Sequence, residues 1–94
     1  MRDCNMNYKI LQHYTITDNT LELKLQIEDQ KILVIFGRHI NGYYIALPNV
    51  SISCEALGPE EVKRNTFYLS QAGLRSDYAQ AICTAIFEYK KEHQ

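Results

Sequence analysis

The stretch that most constrains the fold is residues 20–28, TLELKLQIE, in which apolar and polar side chains alternate without interruption. Alternation with a period of two predicts a β-strand that buries one face and leaves the other in water. The leucines and the isoleucine would lie on the buried face. Glu22, Lys24, Gln26 and Glu28 would form the polar face. A chain of 94 residues has room for one hydrophobic core, so this strand must belong to a single sheet, and we predict one domain over residues 1–94.

Four further segments have the composition of strands. Residues 8–16 alternate less cleanly, and we expect Tyr8, Ile10, Tyr14 and Ile16 on one face with Lys9, Leu11, His13 and Thr15 on the other. Residues 31–40, KILVIFGRHI, contain a continuous apolar run that is typical of a central strand. Asn41-Gly42 predicts a two-residue type I′ turn into the next strand. That turn would set Gly37 opposite Ala46 and Phe36 opposite Leu47. Residues 50–57 alternate again, and whether they form a fifth strand stays open.

The period then changes to that of helices. Gly58-Pro59-Glu60-Glu61 is typical of a helix start, and Ala72-Gly73-Leu74 is typical of a left-handed helix end. Whether residues 59–72 form one helix or two, broken near Asn65-Thr66, stays open. Ser76-Asp77 predicts the cap of an amphipathic helix that closes with Lys90-Lys91. The prediction is an α+β fold in which an antiparallel sheet of four to five strands, ββββ(β)αα, is packed on one face by a C-terminal helical hairpin.

Composition and charge argue against several classes of function. Ten Lys and Arg face eleven Asp and Glu, a formal net charge of −1, with no basic run to displace counterions from nucleic acid. No apolar run is long enough to span a bilayer. Three cysteines at wide spacing, Cys4, Cys54 and Cys83, without a secretory leader predict reduced thiols and a cytoplasmic location. With no paired Cys or His spacing, we expect neither a metal nor another cofactor.

The sequence offers one trio with the residue types of a catalytic site. It consists of Cys54, Glu55 and His39, a nucleophile, an acid and a base. Neighbouring side chains in an extended strand point to opposite faces, so Cys54 and Glu55 cannot act together if this segment is a strand. Phosphate-binding loops and nucleophile elbows are absent from the sequence. We therefore expect a protein that is not an enzyme.

The two helices also suggest a helix-turn-helix unit, which gives an alternative function. The segment FYLSQAGLRSDYAQAICTAI has suitable lengths, and Arg75, Gln80 and Thr84 would then contact nucleic acid. Arg75 is the only cation near the start of the second helix, whereas recognition helices usually combine base contacts with phosphate contacts. A packed αα-hairpin is the preferred interpretation, and nucleic acid is the alternative partner.

An apolar patch on the sheet is the preferred binding surface. Two helices can cover one face of the sheet, and the other face would still carry apolar and aromatic side chains rimmed by polar ones. The predicted protein-binding residues are Leu33, Ile35, His39, Tyr43, Tyr44 and Ala46. The expected partner is another protein or a second copy of the chain. Because tyrosine also stacks on bases, single-stranded RNA is a further alternative.

The second half of the chain resembles a known group of proteins. The segments GYYIALPNVSISCEALGPEE, FYL and AGL are similar to those of small uncharacterised proteins from conjugative elements and phages of Gram-positive bacteria. Such proteins include inhibitors of host defence, among them anti-CRISPR proteins, which generally act by binding. The resemblance implies a mobile-element inhibitor of a host defence complex, with no catalytic residue to transfer.

Overall fold

Five strands precede two helices in the computed structural model, which describes residues 7–17, 20–40, 42–55 and 58–93. The strands are β1 (Tyr8–Thr17), β2 (Thr20–Ile27), β3 (Gln30–His39), β4 (Gly42–Ala46) and β5 (Ser51–Cys54), and the helices are α1 (Pro59–Gln71) and α2 (Ser76–Glu92). Each strand pairs antiparallel with the next along the chain, in the order β1-β2-β3-β4-β5. The predicted α+β fold is confirmed, and the fifth strand forms.

The core lies between one face of the sheet and the helical hairpin. The alternating apolar side chains of β2 are all buried, and Val34, Phe36 and Ile45 continue the same face across β3 and β4. From the helices, Leu69, Ile82 and Ile86 are fully buried against them. We call this side of the sheet the covered face. The opposite side, which the helices do not reach, is the open face.

The β3–β4 pairing differs from the predicted register by two positions. His39 pairs with Gly42 and Gly37 with Tyr44, so Gly42 is the first residue of β4. The predicted turn includes Asn41, which lies outside the described residues. The ring of Tyr44 covers Gly37 so closely that a Cβ atom there would collide with it, which favours a glycine opposite this tyrosine. Because the shift is an even number of residues, every side chain stays on its predicted face.

The predicted faces of β1 are wrong beyond Ile10. The register slips between Ile10 and Gln12, and this β-bulge reverses the alternation for residues 12–15, up to a second irregularity between Thr15 and Thr17. As a result, His13 pairs with Leu23 on the covered face, whereas Tyr14 pairs with Glu22 on the open face. The bulge places His13 beside α2, where its Nδ1 lies 3.0 Å from the hydroxyl of Tyr89.

The helix ends follow local chemistry. α1 is one continuous helix with Pro59 as its first residue, and the backbone N–H of Gly58 donates to the Glu61 carboxylate at 3.0 Å. At its end Gly73 has φ +114°, and the N–H of Leu74 donates to the carbonyl of Leu69, as predicted for a left-handed cap. Among the described residues, no helix is both long and apolar enough to cross a membrane.

The start of α2 differs slightly from the prediction. Arg75, not Ser76 or Asp77, is the capping residue, and it makes no side-chain capping hydrogen bond. Asp77 lies within the first turn of the helix, where its carboxylate accepts the backbone N–H of Tyr78 at 2.8 Å. An acidic side chain at this position interacts favourably with the positive end of the helix dipole.

Candidate functional site

The open face presents apolar side chains at the middle of the sheet. Ile35 on β3 pairs with Ala46 on β4, and both side chains are half-buried. Leu33, two residues earlier on β3, is 41% exposed. On the other side of Ile35 lies Glu22 of β2, which in turn pairs with Tyr14 of β1. Four of the predicted binding residues, Leu33, Ile35, Tyr44 and Ala46, therefore lie on one continuous surface that no helix covers.

An aromatic pair borders this surface near the β3–β4 hairpin. The ring of Tyr44 lies across Gly37 and stacks on the exposed ring of His39, with 5.9 Å between centroids and 12° between planes. Stacking two amphipathic rings over a glycine gives a flat, rigid rim at low conformational cost. His39 and Tyr44 thus lie on the face where the sequence analysis placed them.

Tyr43 does not belong to this surface. Its ring stacks on Phe36 of the covered face, with 5.5 Å between centroids, and it packs against the core. The guanidinium of Arg38 lies 6.0 Å above the same ring. Successive residues of a strand point to opposite faces, so Tyr43 and Tyr44 cannot contact the same partner surface. Of the predicted protein-binding residues, Tyr43 is therefore the one that lies on the covered face.

The sequence analysis missed the contribution of β1 to the open face. Tyr14, which pairs with Glu22, is 53% exposed there. Ile16 lies in the second irregularity of β1, between Thr15 and Thr17, and is 55% exposed. The alternation was followed through residues 8–16 without a break, which put Tyr14 on the same face as Tyr8 and Ile10. The local signal was the adjacent apolar pair Ile10-Leu11, where the alternation of apolar and polar residues breaks.

The residues of the nucleic-acid alternative lie elsewhere, at the start of α2. Arg75 forms two hydrogen bonds to the Asp77 carboxylate, at 3.2 and 2.6 Å, and its guanidinium lies 4.9 Å from the centre of the Tyr78 ring. Hydrogen bonding from Arg75 lowers the pKa of Asp77. Gln80 and Thr84 are half-buried on the same helix. Arg75 already has an anionic partner, which weakens it as a phosphate ligand.

The structure does not bring the possible catalytic trio together. His39 lies on the open face, whereas Cys54 pairs with Tyr43 and packs against the core of the covered face. Burial raises the pKa of the Cys54 thiol to about 12, so the reactive thiolate is scarce at neutral pH. Burial also raises the pKa of Cys83 to about 12. Both thiols are free.

Glu55 belongs instead to a polar cluster that joins β5 to α1. Its carboxylate accepts hydrogen bonds from Arg64, at 3.0 and 3.2 Å, and from the hydroxyl of Tyr68, at 2.9 Å. These bonds lower the pKa of Glu55. Beside it, the fully buried Asn65 donates to the backbone carbonyl of Glu55 and accepts its N–H, at 2.9 and 3.0 Å. These bonds fasten the end of β5 to α1.

A second cluster lies where β1 meets the end of α2. Tyr89 contacts His13 through its hydroxyl, and its ring stacks on His93 with 4.0 Å between centroids. The Nδ1 of His93 lies 2.9 Å from the backbone carbonyl of Tyr89. Within the described part of the chain, no group of three or more His, Cys, Asp or Glu side chains is arranged to hold a metal ion.

Comparison with known proteins gives a family. No curated protein and no solved structure matches the chain. A family model, described as a family of unknown function (DUF6618), matches residues 5–94. The match includes all five strands and both helices, and with them the whole open face. The chain therefore belongs to the DUF6618 family.

Proposed function

We propose that the chain is a non-enzymatic, cytoplasmic protein-binding module that uses the open face of its sheet. The observation that carries this proposal is the apolar surface left on that face after both helices have packed on the other. Leu33 and Ile35 lie on the central strand, Ala46 and Tyr44 lie beside them, and none of the four is fully buried. A preformed apolar centre with a polar rim is typical of protein interfaces.

The rim of this surface is built from the polar side of β2. Glu22, Lys24 and Gln26 lie between the apolar residues of β3 and the edge strand β1. Polar side chains around an apolar centre limit water access and fix the orientation of a partner. Since Arg75 is paired with Asp77, the surface at the start of α2 has less to offer phosphate, and nucleic acid is the less favoured partner.

The resemblance to mobile-element proteins supports a more specific role. It favours an inhibitor that blocks a host defence complex by covering one of its surfaces, as anti-CRISPR proteins generally do. The scattered positions of Cys54, Glu55 and His39 agree with a mechanism that needs binding alone. The inhibited complex would lose activity in proportion to the bound fraction, with no turnover by the inhibitor.

Site-specific photo-crosslinking in cells tests the surface. One version of the protein carries a photo-reactive amino acid in place of Leu33, and a control carries it in place of Phe67, which is 56% exposed on α1. We expect a discrete protein adduct from position 33 and none from position 67. Equal adducts from both positions would refute the open face as the binding surface.

A double variant that carries the same probe at position 33 tests the surface by mutation. Tyr44→Ala with Ile35→Glu removes an aromatic ring and adds a charge on the open face, so the position-33 adduct should be lost. The matched control makes the same types of change on α1, Phe67→Ala with Gln71→Glu, and should keep the adduct. Circular dichroism and melting curves of both must resemble the parent. A folded open-face variant that still forms the adduct contradicts the proposal.

A further inference from the structure

Three lysines lie together on the open face, beside Leu33. Lys9 of β1 pairs with Gln26 of β2, which also pairs with Lys31 of β3, so the three residues form one row across the sheet. Lys24 lies two residues before Gln26 on the same face and pairs with Leu33. Neighbouring strands are about 4.8 Å apart and alternate residues about 7 Å apart, so the three lysines start within roughly 10 Å of one another. We call them the lysine cluster.

The lysine cluster has no anionic partner among the described residues of the chain. In the ranges that the structure describes, Lys9, Lys24 and Lys31 are all exposed and form no ion pair or hydrogen bond. The carboxylates nearest along the strands are Glu22, on the far side of Lys24, and Glu28 and Asp29 in the β2–β3 turn. None of the three makes an ion pair with the cluster. These positive charges are therefore available to an external partner.

Three unpaired lysines on one face are notable in a chain whose formal charge is −1. The described arginines of the helices do have anionic partners: Arg64 pairs with Glu55 and Glu61, and Arg75 with Asp77. Lys90 lies against the ring of Phe36, with 5.5 Å from its ammonium to the ring centre. Surface charges of one sign beside an apolar centre attract a partner of the opposite sign and set its orientation.

We propose that the open face binds an acidic protein surface, an inference that rests on the proposed function and adds the chemistry of the partner. Carboxylates of the partner would meet the lysine cluster while its apolar side chains pack on Leu33 and Ile35. A second copy of the chain is a poorer match, because it carries the same three positive charges on the same face.

Single-stranded nucleic acid also fits this surface less well. Glu22 lies in the row between Tyr14 and Ile35, where its carboxylate would repel a phosphate backbone that crosses the strands. The aliphatic side chains of Leu33 and Ile35 separate the lysine cluster from the aromatic pair, Tyr44 and His39. Tyr14 lies nearer to the cluster, but it is a single ring beside the Glu22 carboxylate, whereas a base-stacking platform needs several rings along the phosphate-binding groove.

Fluorescence anisotropy with defined probes tests the inference on the full chain. The probes are a short labelled peptide of alternating glutamate and leucine, the same peptide with glutamine for glutamate, and an oligouridylate of equal length. The triple variant K9Q/K24Q/K31Q removes the lysine cluster. The control K63Q/K90Q/K91Q changes the net charge equally on the helices, and melting curves establish that both variants fold.

We expect the acidic peptide to bind more tightly than the neutral peptide and the oligouridylate. K9Q/K24Q/K31Q should weaken its binding by about tenfold or more, and K63Q/K90Q/K91Q by less than about twofold. Added salt should reduce affinity for the parent and have little effect on the K9Q/K24Q/K31Q variant. Equal binding of the acidic and neutral peptides, no binding of the acidic peptide, or an unaffected K9Q/K24Q/K31Q variant would each overturn the inference.

The Tyr44→Ala, Ile35→Glu variant separates this inference from the proposed function. If that variant loses the neutral peptide as well as the acidic one while K9Q/K24Q/K31Q keeps both, the open face binds protein but does not select acidic partners. If oligouridylate binds the parent most tightly, both the acidic-partner inference and the protein-binding function are wrong.

Discussion

Asn65 shows how one side chain can hold two elements together. Its amide bonds both the N–H and the carbonyl of Glu55, as a neighbouring strand would, and so ties the middle of α1 to the chain leaving β5. The side chain is fully buried. A buried polar group is tolerated when each of its hydrogen-bonding atoms is paired, and it is costly when a partner is removed.

We expect Asn65→Ala to lower the free energy of unfolding by about 2–4 kcal/mol, because two backbone groups of Glu55 lose their buried partners. Urea denaturation measures the change. Lys63→Ala, at an exposed position on the same helix, should stay within about 0.5 kcal/mol of the parent. Equal stability of Asn65→Ala and Lys63→Ala would mean that the amide contributes nothing net.

At residue scale, Leu33 and Ile35 were correctly placed on the uncovered side of β3. Successive side chains of an unbroken strand alternate between its two faces, so their positions in the sequence were enough to assign their face. Asn65 could not be identified in the same way. Asparagine is a poor helix former, so the pattern left open a break near residue 65, and the partner that makes it favourable lies ten residues earlier in another element. Hydrogen bonds from Asn65 to Glu55, rather than local helix propensity, explain why α1 is continuous at this position.

Among the elements, the α1–α2 connection was the most predictable. The sequence Ala72-Gly73-Leu74 encodes the whole motif: a glycine with positive φ, two carbonyls satisfied by the N–H groups of Gly73 and Leu74, and a leucine that packs back on the core. This motif ends α1 and directs the chain into α2.

Gly73→Ala should lower the free energy of unfolding by about 1–2 kcal/mol, because a side chain strains a backbone with φ +114°. In a domain of this size the melting temperature should fall by roughly 4–8 °C per kcal/mol, measurable by circular dichroism. Gln71→Ala, two residues earlier on the same exposed surface, is the control and should melt close to the parent. If the two variants melt together, the left-handed cap does not limit stability.

The pairing registers of the strands were harder to predict than the positions of the strands and helices. Asn41-Gly42 marked the hairpin, but the pairing depends on the contact between Tyr44 and Gly37, which has no local sequence signature. In β1 the bulge at Ile10–Gln12 reversed the predicted faces of residues 12–15. A face is assigned to each side chain by counting along the strand, so one extra residue in a bulge changes the assigned faces that follow it.

At the scale of the whole molecule, the acidic and basic side chains stay near the surface while two thiols approach the core. Burial raises the pKa of both Cys54 and Cys83 from the ordinary value of 9.0 to about 12. In the unfolded chain the thiols ionise near pH 9, whereas in the native protein they remain protonated. The protonated, buried thiols thus make a contribution to the free energy of unfolding that is fully present below pH 9. This contribution is lost as the pH rises from about 9 towards 12.

We expect the free energy of unfolding to fall by about 1 kcal/mol between pH 9 and pH 10, chiefly through the buried Cys83, because solvent screens the partly exposed Cys54. Denaturation at a series of pH values measures the slope. A Cys54→Ala, Cys83→Ala variant loses some packing at every pH but should show a shallower slope, and the slope alone carries the comparison. If the slope is unchanged in this variant, the loss of stability at alkaline pH comes from other groups, such as Tyr8, whose pKa is also raised by burial.

The bulge in β1 has a consequence for what can add to the sheet. β1 is an edge strand of ten residues, long enough to template a strand from another molecule and begin a fibril. Its ladder to β2 is interrupted twice, between Ile10 and Gln12 and between Thr15 and Thr17, so its outer hydrogen-bonding groups are not evenly spaced. The opposite edge, β5, offers only four residues. Growth of the sheet through either edge is therefore disfavoured, even where the protein is crowded.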